Sequence, residues 1–201
     1  MKCLIPNIGS TSFKFRVLDM PGETVLAQGR VERIGQPGGE CADYPAAIRK
    51  CIAEIAGPGK PLKSMAEIGA VGFKAVHAGP LNEPQLIGDD FLAALEEFSF
   101  LAPAHNPPYI TAIKAFRQEL PGVPLVAVME PFPYRFMNEA STTYAVPYDG
   151  ASNTASVATD STAPLIALRA STPRRCLAAT ISATSPAIWA AARAWLHFAM
   201  A

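Results

Sequence analysis

The chain has 201 residues, half of them apolar, with 17 basic and 17 acidic side chains and no net charge; one large domain or two small ones with a substantial core fit this length, and the charge balance argues against a broad electrostatic grip on nucleic acid or an anionic membrane while leaving room for one local basic site. Cys3, Cys41, Cys51 and Cys176 show no CxxC spacing and the histidines do not cluster, which suggests neither a zinc site nor a disulfide framework and fits reduced thiols in a cytoplasm. No charged-then-apolar leader opens the chain and no apolar run is long enough to span a bilayer, so a cytoplasmic location without a membrane partner is expected.

The chain opens on an expected strand, polar turn and second strand. Residues 2–6 and 12–18 read as strands, the latter with Phe13, Phe15 and Val17 on one face, and a third over 24–32 follows the Pro21-Gly22 turn. Together they predict an antiparallel meander. Between the first two lies Asn7-Ile-Gly9-Ser10-Thr11-Ser12. Gly9 lets the backbone approach an anion closely, and Ser10, Thr11 and Ser12 offer hydroxyls and successive N–H groups of the kind that line anion-binding concavities. Asn7 ends the first strand with a neutral oxygen suited to a hard cation such as Mg²⁺, and Lys14 stands in the second strand within reach of a phosphate. Taken alone, the same residues also describe a hairpin turn that holds no ligand.

A helix is expected at about 43–56, where Ile48, Ile52 and Ile55 recur at helical spacing and Asp43 stands at the cap. Residues 67–76 alternate as a strand that ends in the loop His77-Ala-Gly79-Pro80. Two helices follow. One begins after Asp89 with Phe91, Leu92, Leu95 and Phe98 inward; the other starts at Asn106, as cap, and Pro107 in the first turn. The apolar run from Val123 to Met129 is typical of a buried central strand and leads into Glu130. A meander followed by mixed β and α units makes an α/β fold with a mixed sheet. Without further context His105 reads as a helix-start histidine or as a donor to a reacting group, and Glu130 as a solvated strand-end charge or a catalytic carboxylate.

From Gly150 the character changes. The tail is rich in Ala, Ser and Thr, its single acid is Asp160, and only 186–199 shows a helical stripe, of Ile188, Ala192, Trp195 and Ala199. The rest is of low complexity. The expected division is therefore an N-terminal domain over 1–149 and an irregular or helical Ala-rich tail over 150–201.

Three separated segments resemble the acetate kinases and their propionate- and butyrate-kinase relatives. Asn7-Ile-Gly-Ser-Thr-Ser-Phe-Lys14 is similar to that family's N-A-G-S-S-S-x-K, and Val71-Gly-Phe-Lys-Ala-Val-His-Ala-Gly79 to its G-H-R-x-V-H-G-G. Leu101-Ala-Pro-Ala-His105-Asn-Pro-Pro108, Pro121 to Glu130 and Tyr144-Ala-Val-Pro-Tyr148 are similar to its L-A-P-L-H-N-P, P-x-V-F-D and Y-x-L-P-Y. Their order and spacing agree throughout 1–149, and this collinearity gives the match its specificity. The resemblance implies the actin-like ATPase (ribonuclease H-like) fold and transfer of the ATP γ-phosphoryl group to acetate or a similar short carboxylate, with Mg²⁺ or Mn²⁺. It places Asn7 near the metal, Ser10, Ser12 and Lys14 on the nucleotide phosphates, Lys74 on the acid substrate, and His105 and Glu130 in catalysis. It also implies a homodimer for full-length relatives, with no nucleic acid or membrane as partner.

Several departures bear on activity. Lys74 stands where the family has a carboxylate-binding arginine, and an ammonium cannot reproduce a guanidinium's two-pronged grip. Glu130 stands for an aspartate and is one methylene longer. Pro131-Phe-Pro-Tyr134 replaces the family's T-A-F-H, and prolines there re-route a loop. The family's next histidine motif, G-F-H-G-A-S-H, is absent as written, yet the codons of Thr159 to Ile166 fix bases that, read in the neighbouring frame, are compatible with Gly-Phe-His-Gly-Ala-Ser-His in order. A single-base insertion or deletion near codon 149 accounts for this; a short paralogue with a drifted tail is the alternative. The 201-residue product is then expected to be inactive. Two further readings stay open: a propionate or butyrate kinase at full length, and a non-catalytic domain that binds phosphate or nucleotide.

Overall fold

In the computed structural model, which describes residues 1–81, 83–130 and 190–194, the expected meander is β1 (Lys2–Ile8), β2 (Phe13–Asp19) and β3 (Thr24–Val31), each antiparallel to the next. Phe13, Phe15 and Val17 are buried on one face of β2, as their two-residue spacing requires. α1 (Tyr44–Ile55) starts where Asp43 accepts the N–H of Ala46 at 2.8 Å and buries Ala47, Ile48, Cys51 and Ile55. Then come β4 (Ile68–Ala75), β5 (Gln85–Leu86), α2 (Asp89–Glu97), α3 (Asn106–Glu119) and β6 (Leu125–Met129). Two residues are too few for β5 to show any periodicity, and the sequence reading missed it.

The six strands lie in the order β3-β2-β1-β4-β6-β5, with β1, β4 and β6 parallel. All five residues of β6 are buried, in keeping with a strand covered on both sides. One side is filled by α1 and α3: the Phe116 ring on α3 packs edge-on against Phe73 of β4 at 5.4 Å and lies 6.3 Å from Phe13. On the other side, a Cβ at Gly72 would lie 3.0 Å from Ile5 Cδ1 and 3.1 Å from Ala191. A short helical segment over 190–194 therefore seats there, with Ala190, Ala191, Ala192 and Ala194 buried and Arg193 bonded to Glu23 at 2.5 Å. The rest of the tail, its boundary near residue 149, and Pro131 to Tyr148 lie outside the described residues.

Two expectations are corrected. Phe98 is not part of α2 but opens a 3₁₀ turn over Phe98–Phe100 and is half-buried. Asn106 does not cap α3: it is the first helical residue, and fully buried. Its amide donates to the carbonyls of His77 at 2.8 Å and Leu95 at 3.0 Å, while His105 takes the cap position without a side-chain bond. Two distant carbonyls hold the amide N–H groups, so the side chain does not serve the cap role, in which its oxygen would accept a local backbone N–H. Cys3, Cys41 and Cys51 are free thiols, the first and last buried, where they pack as small apolar groups. Among the described residues no helix is long and apolar enough to cross a membrane.

Candidate active site

Register decides what shares an edge. Leu4 pairs with Val71, so continuing β1 and β4 brings Ile8 level with Ala75, and Ala75 pairs with Met129. The carboxyl ends of the three parallel strands are thus flush, at the edge where open α/β sheets place their ligands. The Gly9–Ser12 turn, the His77–Gly79 loop and Glu130 all follow directly from those ends.

Alternation then decides what shares a face. Asn7 and Lys14 are direct cross-strand partners, pointing away from the Phe13 and Phe15 side. Lys74 lies two residues beyond Gly72, on that same outer face, and level with Val128, two residues before Glu130. Lys74 and Glu130 meet there: Nζ lies 3.4 Å from both carboxylate oxygens, with the side chains 20% and 12% exposed. Burial this deep is costly for either charge alone, and the pairing offsets that cost for both.

The turn is built for close approach. Gly9 donates to the Ser12 carbonyl at 2.8 Å, and a Cβ at Gly9 would stand 2.6 Å from Ser12 Oγ. Any other residue would push that hydroxyl aside. Tyr44 on α1 donates to the Gly9 carbonyl at 2.5 Å, and Ile34 donates to the Thr11 carbonyl at 2.9 Å. With its carbonyls tied down from below, the turn keeps its shape; Ser10 is exposed and Ser12 half-buried.

The sequence reading assigned His77 no role of its own, and it organises the loop after β4. Its ring stacks on Phe98 at 5.3 Å, its Nδ1 accepts the Gly79 N–H at 3.1 Å, and its carbonyl receives Asn106. Gly79 has φ +60°, and a Cβ there would enter the Phe98 ring at 2.3 Å. Through Asn106, His77 fixes the start of α3 and hence exposed His105 at the same edge. The signal was the positive-φ glycine two residues on, visible only in the fold. Tyr109, under the turn, is fully buried, and burial pushes its phenol far up.

Burial pulls His77 below its ordinary value near 6.5. Above 6.5 the imidazole is neutral whether folded or unfolded. As pH falls through 6.5 the unfolded chain takes the proton more readily, so stability is lost progressively toward the folded value. Urea midpoints at pH 7.5 and 5.5 are expected to show this loss, and His77→Gln to remove that part of it. An unchanged pH dependence in the variant would contradict the assignment.

The Acetokinase family model matches residues 2–155. An acetate kinase of Shouchella clausii is 39% identical over 164 residues, covering 74% of this chain and 41% of the relative. One of Thermosipho melanesiensis is 38% identical over 166 residues, with the same coverage of 74% and 41%. Among solved structures, Porphyromonas gingivalis acetate kinase superposes with a TM-score of 0.67 at 33% identity, over 74% of this chain and 42% of that one. A propionate kinase from Francisella tularensis superposes at 0.62 with 26% identity, over 74% and 41%. The chain spans about two-fifths of the length of these relatives.

Proposed function

This chain belongs to the acetokinase family, and from that premise we propose that it carries the phosphate-binding half of a kinase that moves the ATP γ-phosphoryl group to acetate or a related short-chain acid. The observation that carries the reading is the Lys74–Glu130 pair, on the sheet face shared by Asn7 and Lys14 and at the edge shared by the Gly9–Ser12 turn. In such a transfer a carboxylate oxygen of the acid attacks the γ-phosphorus, the bond to the β-bridging oxygen breaks, and acyl phosphate and ADP result. Little covalent help is needed; the site must hold donor and acceptor in line and neutralise the equatorial oxygens. Ser10, Ser12 and the turn's N–H groups would hold the phosphates with Lys14, Lys74 would pair with the acid's carboxylate, and His105 would donate to the transferring group.

The donor set suits a hard divalent cation. Asn7 offers an amide oxygen and Glu130 a carboxylate on the same face. Among the described residues no group of three or more His, Cys, Asp or Glu could hold a metal. Mg²⁺ binds through one or two protein oxygens and substrate phosphates, and the Asn7 amide oxygen and the Glu130 carboxylate would be those protein oxygens. When bound it would supply charge neutralisation at the phosphates. The cytoplasm is the proposed location, where ATP and short carboxylates meet.

The test is acid-dependent ATP consumption with acetate, propionate and butyrate, in a chain extended in the corrected frame. Glu130→Gln is expected to lower kcat by about 100-fold. Lys74→Arg is expected to lower the KM for the acid roughly tenfold through two-pronged binding, with the KM for ATP held. Nucleotide binding without turnover in the extended chain would favour a binding domain instead.

A further inference from the structure

Beneath the site stands a polar group that the chemistry above does not use. Tyr109, near the start of α3, is fully buried, and among the described residues its hydroxyl has no hydrogen-bond partner. A hydroxyl buried in this way gives up its water without compensation, and phenylalanine would fill the same space without that cost. The Ile8 N–H bears on the phenol oxygen without closing a hydrogen bond. Two further groups act on it: the Glu130 carboxylate, and the Tyr44 phenol that donates to the Gly9 carbonyl. Burial keeps the Tyr109 phenol protonated, so it is a donor in want of an acceptor.

The backbone opens where that donor points. The ladder between β1 and β4 is registered from Lys2 to Leu4, and Pro6, with no N–H, donates nothing beyond it. At this open end Ile8, Ala75 and Met129 are level, and Glu130 leans from β6 across to Lys74 on β4, hence towards β1. The Lys74–Glu130 contact is loose: 3.4 Å from Nζ to either oxygen exceeds the roughly 2.7–2.9 Å of a tight charge-assisted bond. A carboxylate has room for a phenol donor as well as an ammonium.

We propose that Tyr109 is a positioning residue: when the acid substrate takes Lys74, the Tyr109 hydroxyl donates to the Glu130 carboxylate in its place and holds it, still charged, at the site. The moment of exchange rests on the kinase reading, since it is the acid's carboxylate that draws Lys74 away. The exchange of partners is a property of this chain and can be forced without substrate.

Lys74→Met removes the ammonium and keeps the stem, and thermal melts of the 201-residue chain then compare Tyr109→Phe in two backgrounds. In the parent, Tyr109→Phe is expected to leave the Tm unchanged or to raise it, because the hydroxyl removed has no partner. In Lys74→Met it is expected to lower the Tm by roughly 5 °C, because a hydrogen bond to a charged group is lost. In Lys74→Met with Glu130→Met, the effect is expected to return to the parent's sign. A Tm lowered in the parent, the same effect in the parent and in Lys74→Met, or a loss that persists without Glu130 overturns the proposal. Lys74→Gln gives the same comparison should Lys74→Met fail to fold. In the chain extended in the corrected frame, Tyr109→Phe is expected to raise the KM for the acid roughly tenfold with the KM for ATP held; an equal rise in both would place the phenol in support of the phosphate turn and also overturns the proposal. The melts need no turnover, so an extended chain without activity would overturn the kinase reading alone.

Discussion

Sequencing the gene across codons 140–170 is expected to show Gly-Phe-His-Gly-Ala-Ser-His one base out of register with the chain as written. The expectation rests on the code alone: the first two bases of the codons from Asp160 to Ile166 become the last two of the neighbouring frame, and each of the seven is compatible with that string. We propose that the frame shifts near codon 149. The functional consequence is all-or-none. ATP-dependent phosphorylation of acetate is expected from the corrected chain, and none above the reagent blank from the 201-residue product. Enzymes commonly accelerate reactions by a factor of about a million or more, so the comparison is not a matter of small differences. A neighbouring frame without the string, or equal activity in the two chains, would sink this proposal. The correction also removes residues 190–194 as they stand. Gly72, which admits only a closely approaching backbone on its outer side, would then take its cover from another segment.

Replacing Phe73 by alanine is expected to cost about 3–5 kcal/mol of stability. Phe73 is fully buried in the middle of β4, edge-on to Phe116. β4 lies between β1 and β6 and is walled by α3, so the cavity has little freedom to collapse. Single domains are held by only about 5–15 kcal/mol in total, so the loss is a large share. For a chain of this size it corresponds to a fall in Tm on the order of 10 °C. Urea melts of Phe73→Ala and Phe73→Leu give the measurement, the leucine variant retaining most of the volume and most of the stability. A cost below about 1 kcal/mol would mean that this ring is not the centre of the sheet–helix core.

Much of the fold was legible in the residues because its signals are local. The alternation of Phe13, Phe15 and Val17, the helical recurrence of Ile48, Ile52 and Ile55, and the apolar run before Glu130 each depend only on the geometry of one element. All three became the elements expected. β5 was not legible, since two residues carry no period. Asn106 was misread as a cap for a different reason: its side chain has acceptors in the His77 and Leu95 carbonyls, 29 and 11 residues away in the chain. The candidate site divides in the same way. The turn chemistry of Asn7, Ser10, Ser12 and Lys14 was open to inspection, whereas His77 gained its place only from contacts with Phe98, Gly79 and Asn106.

By itself, then, the amino-acid sequence determined most of the strands and helices and which family the motifs resemble, because side-chain type and spacing act within a few residues. The tertiary structure alone decided that Ile8, Ala75 and Met129 end level, and that Lys74 and Glu130 meet across two strands. Strand register is set by hydrogen bonds between segments distant in the chain, and a slip of one residue would have turned every one of those side chains to the opposite face.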